Sequence, residues 1–130
     1  MVMLWSDDFL LGDRIIDKQH KHLFAVASDL LENYWHKEEV DKKALVPTIN
    51  FLKEYIINHF DYEEKLQIKA KYKGYEEHKK LHEHLLSQLL DHEKALIQSD
   101  FSQTEIDAFI AMLVAWLKYH VGIEDKKIKI

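Results

Sequence analysis

Histidine is the residue type whose number and spacing first suggest chemistry in this chain. Nine of the 130 residues are histidines, and histidine is the side chain that most often binds metal ions. His59 and Glu63 are four residues apart, as are His78 and His82. Residues with this spacing lie on one face of an α-helix, with Cβ atoms about 5–6 Å apart. Each pair can therefore direct two donor atoms at one metal ion.

The elements that must position these residues are predicted to be four amphipathic helices. Apolar residues recur at steps of three and four over residues 17–35, 40–67, 76–98 and 103–120. The chain has only 3 glycines and 1 proline, which are too few turn residues for a many-stranded fold. Four helices joined by short links predict an all-α fold, an antiparallel up-down-up-down four-helix bundle with an N-terminal arm.

The same periodicity predicts which side chains face the core. On all four helices the inward stripes combine apolar residues with histidines. The predicted inward residues are His20, Phe24, Ala27, Leu31 and Tyr34; Leu45, Ile49, Leu52, Ile56, His59 and Glu63; His78, His82, Leu85, Leu89, His92 and Leu96; and Ile106, Phe109, Leu113, Trp116, Leu117 and His120.

Five of the inward histidines are expected to meet at one end of the bundle. His20 opens the first helix, and His59 lies near the end of the second. His78 and His82 open the third helix, and His120 closes the fourth. In an antiparallel bundle these positions lie at one level. Buried polar groups cost several kcal/mol unless they are paired or bound to a metal, so the pattern predicts a metal site.

The donor set limits which metals fit. The chain has no cysteine, which excludes a thiolate site, a cysteine nucleophile and disulfides. Imidazole with carboxylate suits Fe, Zn, Mn or Ni, and the absence of sulfur disfavours Cu(I) and Fe–S clusters. Five histidines with carboxylates are more donors than one ion needs, which suggests two metal ions bridged by carboxylates.

The remaining histidines, and each histidine-containing pair considered alone, have simpler explanations than metal binding. A single His–Glu pair in a helix is usually only a hydrogen bond. His22, His36 and His84 fall off the stripes and are expected to be solvated. His92 lies on a stripe but at the wrong depth, so a hydrogen-bonded core or boundary histidine is the better interpretation.

Length and charge limit the class of protein. The 130 residues suit one domain over 1–130, with an arm at 1–16, the bundle at 17–125 and a tail at 126–130. A net charge of −5 argues against nucleic acid as a partner. No unbroken apolar run approaches the ~18 residues needed to span a membrane, and the start does not resemble a signal peptide. The expected location is the cytoplasm.

The carboxylate that works with His120 is ambiguous from its spacing alone. The sequence continues from His120 to Glu124 and Asp125, four and five residues later. On a regular α-helix Glu124 lies about 40° around the axis from His120, whereas Asp125 lies about 140° away. Regular helix geometry therefore favours Glu124.

Four motifs in this chain resemble those of the hemerythrin family, in particular its bacterial single-domain members. They are IDKQHKHLF around His20, HFDYEE with His59 and Glu63, HKKLH from His78 to His82, and WLKYHVGIED ending at Asp125. The resemblance covers nearly the whole chain. It implies a non-haem diiron centre, and every ligand position of the family is filled by the expected residue type.

The resemblance assigns a role to each ligand. His78, His82 and His120 would hold one iron, and His20 and His59 would hold the other. The two ions would be bridged by carboxylates and by an oxo or hydroxo group. The implied metal ligands are His20, His59, Glu63, His78, His82, His120 and Asp125, with Glu63 and Asp125 as the bridges.

The function implied by the resemblance is reversible binding of dioxygen for carriage, storage or sensing, at the open position of the His20/His59 iron. An apolar pocket would surround this position, formed by Leu23, Phe60, Trp116, Leu117 and Val121. The alternatives are a diiron redox enzyme and a nitric-oxide or iron-handling protein of the same fold. Histidines outnumber carboxylates five to two, and no additional acid or base is evident beside the site, which favours binding over catalysis.

The family motif and regular helix geometry disagree about the second carboxylate. Both can be satisfied only if the helix ends or widens between His120 and Asp125. Gly122 is the expected place, because glycine adopts backbone conformations that other residues avoid. We therefore predict that Asp125 bridges the metals, that Glu124 faces solvent, and that residues 121–125 depart from α-helical geometry.

Overall fold

The computed structural model describes residues 4–128, and these residues form helices and turns without a β-strand. Each long helix makes its main contacts with two neighbours, in the cyclic order first–second–third–fourth–first. The predicted all-α four-helix bundle is confirmed. The long helices are α1 (Arg14–Tyr34), α2 (Lys42–Lys69), α3 (Tyr75–Gln98) and α4 (Gln103–Trp116).

Side-chain caps explain where the helices begin. The Asp13 side chain accepts hydrogen bonds from two backbone N–H groups of the first turn of α1, so this helix begins three residues before the predicted position at 17. Asp41 caps α2 in the same way. The Ser102 side chain accepts a hydrogen bond from the N–H of Glu105 at the start of α4. These caps satisfy N–H groups that have no partner within the helix.

The core follows the predicted stripes on α2 and α4 but differs on α1 and α3. On α1, Ile16, Leu23 and Leu30 are fully buried, whereas the predicted Leu31 and Tyr34 are half-buried. An apolar stripe is about 100° wide, so both lines of residues satisfy the periodicity. Contact with the neighbouring helices decides which line lies deepest.

The predicted inward positions of α3 show the same effect. Leu89 and Leu96 are buried, but Leu85 and His92 are half-buried at the edge of the core. The half-buried position of His92 agrees with the boundary histidine expected from its depth along the helix.

The chain beyond α4 departs from α-helical geometry, as predicted, but over a longer stretch. A π-helix covers Leu117–Glu124, and a 3₁₀ turn follows at Asp125–Lys127. The departure therefore begins four residues before the predicted stretch 121–125. The π-helix closes each turn with an i→i+5 hydrogen bond, and the N–H of Asp125 donates to the carbonyl oxygen of His120 in this way.

Gly122 is needed for a reason that the sequence did not reveal. Among the described glycines only Gly12 has a positive φ, of 105°, so Gly122 does not need a conformation closed to other residues. Instead, a Cβ added at Gly122 would lie 2.9 Å from Cε1 of Phe9. The missing side chain lets the N-terminal arm pack against the π-helix.

One helical stretch has the length and composition of a membrane span. Gln103–Lys127 contains an 18-residue window of mean hydropathy 1.5, although no unbroken apolar run reaches that length. Core helices of bundles pass the same test, and this stretch contributes Phe109, Leu113 and Trp116 to the core. A single such helix is weak evidence for a membrane span.

Candidate metal centre

Seven buried histidine and carboxylate side chains lie together in the core at one end of the bundle. None is more than 3% exposed, although such groups are rarely buried without partners. They are the residues that the sequence singled out: His20, His59, Glu63, His78, His82, His120 and Asp125.

Each element places its donors near one end. His20 lies in the second turn of α1, and His59 and Glu63 lie one turn apart near the end of α2. His78 lies at the start of α3 and His82 one turn later. Because consecutive helices are antiparallel, these positions face each other across the bundle.

A first group of donors surrounds one point in the core. Oε1 of Glu63 lies 2.8 Å from Nε2 of His78 and 3.1 Å from Nε2 of His82. Nε2 of His120 lies 3.0 Å from Nε2 of His82 and 3.1 Å from Oδ1 of Asp125. Ligand atoms of these five residues all lie within 4.8 Å of one another, which is a spacing that could hold a metal ion.

A second group lies beside the first and shares both carboxylates with it. The Nε2 atoms of His20 and His59 are 3.0 Å apart. Oδ2 of Asp125 lies 3.2 Å from Nε2 of His20, and Oε2 of Glu63 lies 3.3 Å from Nε2 of His59. These four residues also have ligand atoms within 4.8 Å of one another.

The two carboxylates present different oxygens to the two groups. Glu63 directs Oε1 toward the three-histidine group and Oε2 toward the two-histidine group. Asp125 does the same with Oδ1 and Oδ2. This division of oxygens is the arrangement that a carboxylate bridging two ions requires.

The donor atoms fit metal ions better than they fit one another. Two Nε2 atoms 3.0 Å apart can share at most one proton, and this occurs at both His20–His59 and His82–His120. Both oxygens of Asp125 lack an aligned hydrogen bond, although imidazole nitrogens lie 2.9–3.2 Å away. A metal ion between such donors would satisfy lone pairs that hydrogen bonds do not.

Burial and pairing shift the pKa values of the cluster in opposite directions. Burial would lower the pKa of His20 and His78, but hydrogen bonds to Asp125 and Glu63 raise each to about 9. For His59, burial outweighs Glu63 and lowers the pKa. Burial would raise the pKa of both carboxyls, but the histidines hold both values below the usual range. The carboxylates are therefore ionised, and a metal would displace histidine protons.

Two further side chains orient the histidine rings. Nδ1 of His59 lies 2.7 Å from Oε1 of Gln19, and Nδ1 of His82 lies 2.8 Å from Oε2 of Glu64. Ring N–H groups that donate to these oxygens leave Nε2 free to face the cluster. Sequence reasoning missed both residues. Gln19 directly precedes His20 and Glu64 directly follows Glu63, so adjacency to a ligand was the available signal.

The comparison with known families agrees with this geometry. Residues 11–129 match the model of the family described as the hemerythrin HHE cation binding domain. The chain belongs to the hemerythrin family. Its buried histidine and carboxylate cluster accordingly lies in a family of non-haem iron proteins.

Similar proteins in this family are found in bacteria and in an amoeba. A bacteriohemerythrin of Clostridium acetobutylicum is 29% identical over 130 residues, covering 97% of this chain and 98% of the relative. One from Pseudomonas aeruginosa is 28% identical over 123 residues, covering 95% and 76%. A hemerythrin-like protein of Naegleria gruberi is 26% identical over 125 residues, covering 96% and 89%.

The second carboxylate of this hemerythrin cluster is Asp125 rather than Glu124. Asp125 is 1% exposed. The side chain of Glu124 is 33% exposed and lies 3.2 Å from Nζ of Lys127. The wide turn between His120 and Asp125 brings the side chain five residues later to the inner face, so α-helical spacing was the wrong guide here.

Apolar and aromatic side chains surround the cluster. The ring of Phe60 stacks on His82, with centroids 3.8 Å apart. Trp116 lies edge-on to Phe60 at 5.7 Å and 6.2 Å from His120. The other sequence-predicted pocket residues, Leu23, Leu117 and Val121, are no more than 1% exposed and belong to the same core.

The remaining histidines lie outside the cluster of this hemerythrin domain. His22 and His84 are exposed, as expected. His36 is also exposed, but its ring contacts Asp107 on α4, with Nδ1 2.7 Å from Oδ2. This contact joins the end of α1 to α4 and was not predicted.

Gln67 is a buried polar residue that sequence reasoning also missed. Its side chain is 0% exposed, and neither amide atom has a hydrogen-bond partner among the described residues. Its position four residues after Glu63 on the inward stripe of α2 was the signal that could have identified it.

Proposed function

We propose that this protein binds dioxygen reversibly at a non-haem diiron centre. The observation that carries the proposal is the pair of donor groups that share two carboxylates. One group has three histidines and the other has two, so the ligand sets are unequal. The proposed ligands are His20, His59, Glu63, His78, His82, His120 and Asp125.

The two donor groups differ in their number of histidines, and this difference indicates where dioxygen would bind. His78, His82 and His120 would fill the terminal positions of one ion. His20 and His59 leave the other ion one ligand short, and dioxygen would bind at that open position. An iron pair held by these residues would supply the redox chemistry, in which each iron gives one electron to dioxygen on binding and takes it back on release.

The surrounding side chains would keep the bound gas away from water. We propose that the pocket wall is formed by Leu23, Phe60, Trp116, Leu117 and Val121. All are buried. The ring of Phe60 stacks on His82 and lies 5.9 Å from the ring of His59, and Trp116 lies 6.2 Å from His120. An apolar wall limits proton transfer to the bound gas and so favours its release unchanged.

Binding is favoured over catalysis by the composition of the cluster. It contains five histidines and two carboxylates, whereas ferritin-like diiron sites use more glutamate. Glu64, a further carboxylate beside the cluster, is held by the ring of His82. The bacteriohemerythrin name of several relatives supports the same proposal.

We further propose that residues 1–130 form one domain, that the protein is located in the cytoplasm, and that it carries, stores or senses dioxygen.

The test combines metal analysis with gas exchange. Protein from iron-replete expression should contain about two irons per chain. The reduced protein should form a coloured adduct with dioxygen that bleaches under vacuum. One zinc per chain would contradict the diiron proposal. Rapid oxidation without a reversible adduct would instead favour a redox enzyme or a nitric-oxide or iron-handling protein.

A further inference from the structure

Gln67 is the buried polar residue that the proposed metal ligands leave unexplained. Its backbone carbonyl accepts a hydrogen bond from the N–H of Tyr72 at 3.0 Å, but its amide nitrogen and oxygen have no partner in residues 4–128. Leaving a buried amide unpaired destabilises the fold. An apolar side chain of the same length would avoid this cost.

The position of Gln67 indicates which group it serves. It lies one turn after Glu63 on the inward face of α2. Side chains on a helix tilt toward its N-terminus, so Gln67 leans back toward Glu63, and side chains at this spacing can form hydrogen bonds. Oε2 of Glu63 is itself a buried acceptor without an aligned hydrogen bond.

We propose that Gln67 is a positioning residue for the metal pair: its amide, which has no partner in this structure, turns to donate an N–H to the Glu63 carboxylate when the metals bind and then fixes the orientation of that carboxylate. The proposal rests on the proposed function, since it takes Glu63 to be the carboxylate shared by both ions. A donor on a bridging carboxylate restricts its rotation, so that each oxygen stays directed at its own group of histidines. Loss of such a supporting contact typically weakens metal binding 10–100-fold.

The test replaces Gln67 with methionine, which has a similar length but no hydrogen-bonding amide. Cobalt(II) is the probe, because its absorption reports binding without dioxygen. We expect Gln67→Met to bind cobalt 10–100-fold more weakly than the unchanged protein in competition with a chelator. The metal-free variant should unfold at an equal or higher denaturant concentration, because an unpaired buried amide has been removed.

The matched control is Gln88→Met on α3. Gln88 is half-buried and is not among the residues of the two donor groups, so cobalt affinity should not change. If Gln67→Met binds cobalt as tightly as the unchanged protein, Gln67 only fills space and the proposal is overturned.

A second variant tests the role of Gln67 if Gln67→Met does not fold. Gln67→Asn keeps the amide but shortens its reach by one methylene, so it should also bind cobalt more weakly. Wild-type affinity in this variant would overturn the proposal. The diiron proposal fails separately if the unchanged protein loads fewer than two metals or forms no dioxygen adduct. The affinity ratio between variant and unchanged protein tests Gln67 in either case.

Discussion

The side chains of Asp125 and Glu124 are adjacent in the chain but lie in different environments. Asp125 is buried between three histidines, and Glu124 pairs with Lys127 at the surface. One residue of difference at the end of the π-helix thus separates a candidate ligand from a partly exposed side chain.

We predict that Asp125→Ala binds fewer than two metals per chain and forms no dioxygen adduct, because both donor groups lose a shared carboxylate. Glu124→Ala should keep the metal content and the adduct of the unchanged protein, since its carboxylate contacts Lys127. Metal analysis after desalting and difference absorption spectra measure the two effects. Loss of metal in Glu124→Ala with retention in Asp125→Ala would show that the wrong carboxylate had been chosen.

At the scale of elements, the N-terminal arm supports the π-helix that carries His120. Phe9 stacks on Phe24 of α1, with centroids 4.9 Å apart, and its ring lies against Gly122. Nζ of Lys126 donates to the carbonyl oxygen of Leu10 at 2.7 Å. The arm therefore holds the segment that delivers Asp125 to the core.

We predict that Gly122→Ala destabilises the protein by about 1–3 kcal/mol, the usual range for overpacking. The added methyl would lie 2.9 Å from Phe9, whose ring cannot easily move because it stacks on Phe24. Phe9→Leu makes room, so the double variant should lose less stability than the sum of the single variants. Denaturant unfolding of the four proteins measures this coupling.

Gly12→Ala is the control for this cycle. Gly12 has a φ of 105°, and an added Cβ would have no neighbour within 4 Å. Its substitution should destabilise through backbone strain alone. Phe9→Leu should then give an additive effect with Gly12→Ala, and a coupling as large as that with Gly122→Ala would contradict the proposed contact.

A second contact between elements links the end of α1 to α4 at the opposite end of the bundle from the cluster. Asp107 accepts hydrogen bonds from the backbone N–H of His36 at 2.9 Å and from the Gln103 amide at 2.7 Å. The partial burial of Asp107 would raise its pKa, but these hydrogen bonds and the His36 ring lower it. The carboxylate thus stabilises the fold in its ionised form.

We predict that Asp107→Ala lowers the free energy of unfolding at neutral pH by roughly 1–2 kcal/mol. Because the folded-state pKa of Asp107 lies below its ordinary value of 3.8, its contribution is present above that value. The contribution is lost as the pH falls through the folded-state pKa. The stability difference between the two proteins, measured by denaturant unfolding, should therefore shrink below pH 4.

Asp91→Ala serves as the control for Asp107, because Asp91 is exposed on α3 and should contribute little. A difference between Asp107→Ala and the unchanged protein that stays constant from pH 7 to pH 3 would contradict the role of the ionised carboxylate.

At the scale of the whole molecule, one end of the core is polar and the rest is apolar. The apolar part packs conventionally, with Phe24, Phe109 and Leu113 almost fully buried. The polar end contains seven buried donors that hydrogen bonds satisfy only in part. A metal that binds these donors binds only the folded chain, so metal binding and folding are linked.

We predict that removal of metal by a chelator lowers the unfolding temperature by roughly 5–15 °C, and that adding metal restores it. Scanning calorimetry of the loaded, stripped and reloaded protein measures this change. His84→Ala, which alters an exposed histidine, should show the same difference between loaded and stripped protein. Equal unfolding temperatures with and without metal would argue against a site in the folded core.

Local periodicity was sufficient to predict the bundle and to gather the buried histidines and carboxylates into one candidate set, with the family motif supplying Asp125. Pairs such as His78 and His82 share a face on any α-helix, and short links force consecutive helices to be antiparallel. The level at which the histidines meet follows from these two facts. Apolar positions such as Leu45 and Ile49 could be assigned for the same reason.

Contacts between elements decided the rest, because periodicity fixes a side chain only to within the width of a stripe. Packing placed Leu30 rather than Leu31 in the core, and buried the Gln67 amide without a partner. It also placed Phe9 against Gly122, a contact between residues more than a hundred positions apart. The sequence alone therefore determined which residues form helices and which can act as metal donors. The depth of each side chain depended on neighbours that are distant along the chain.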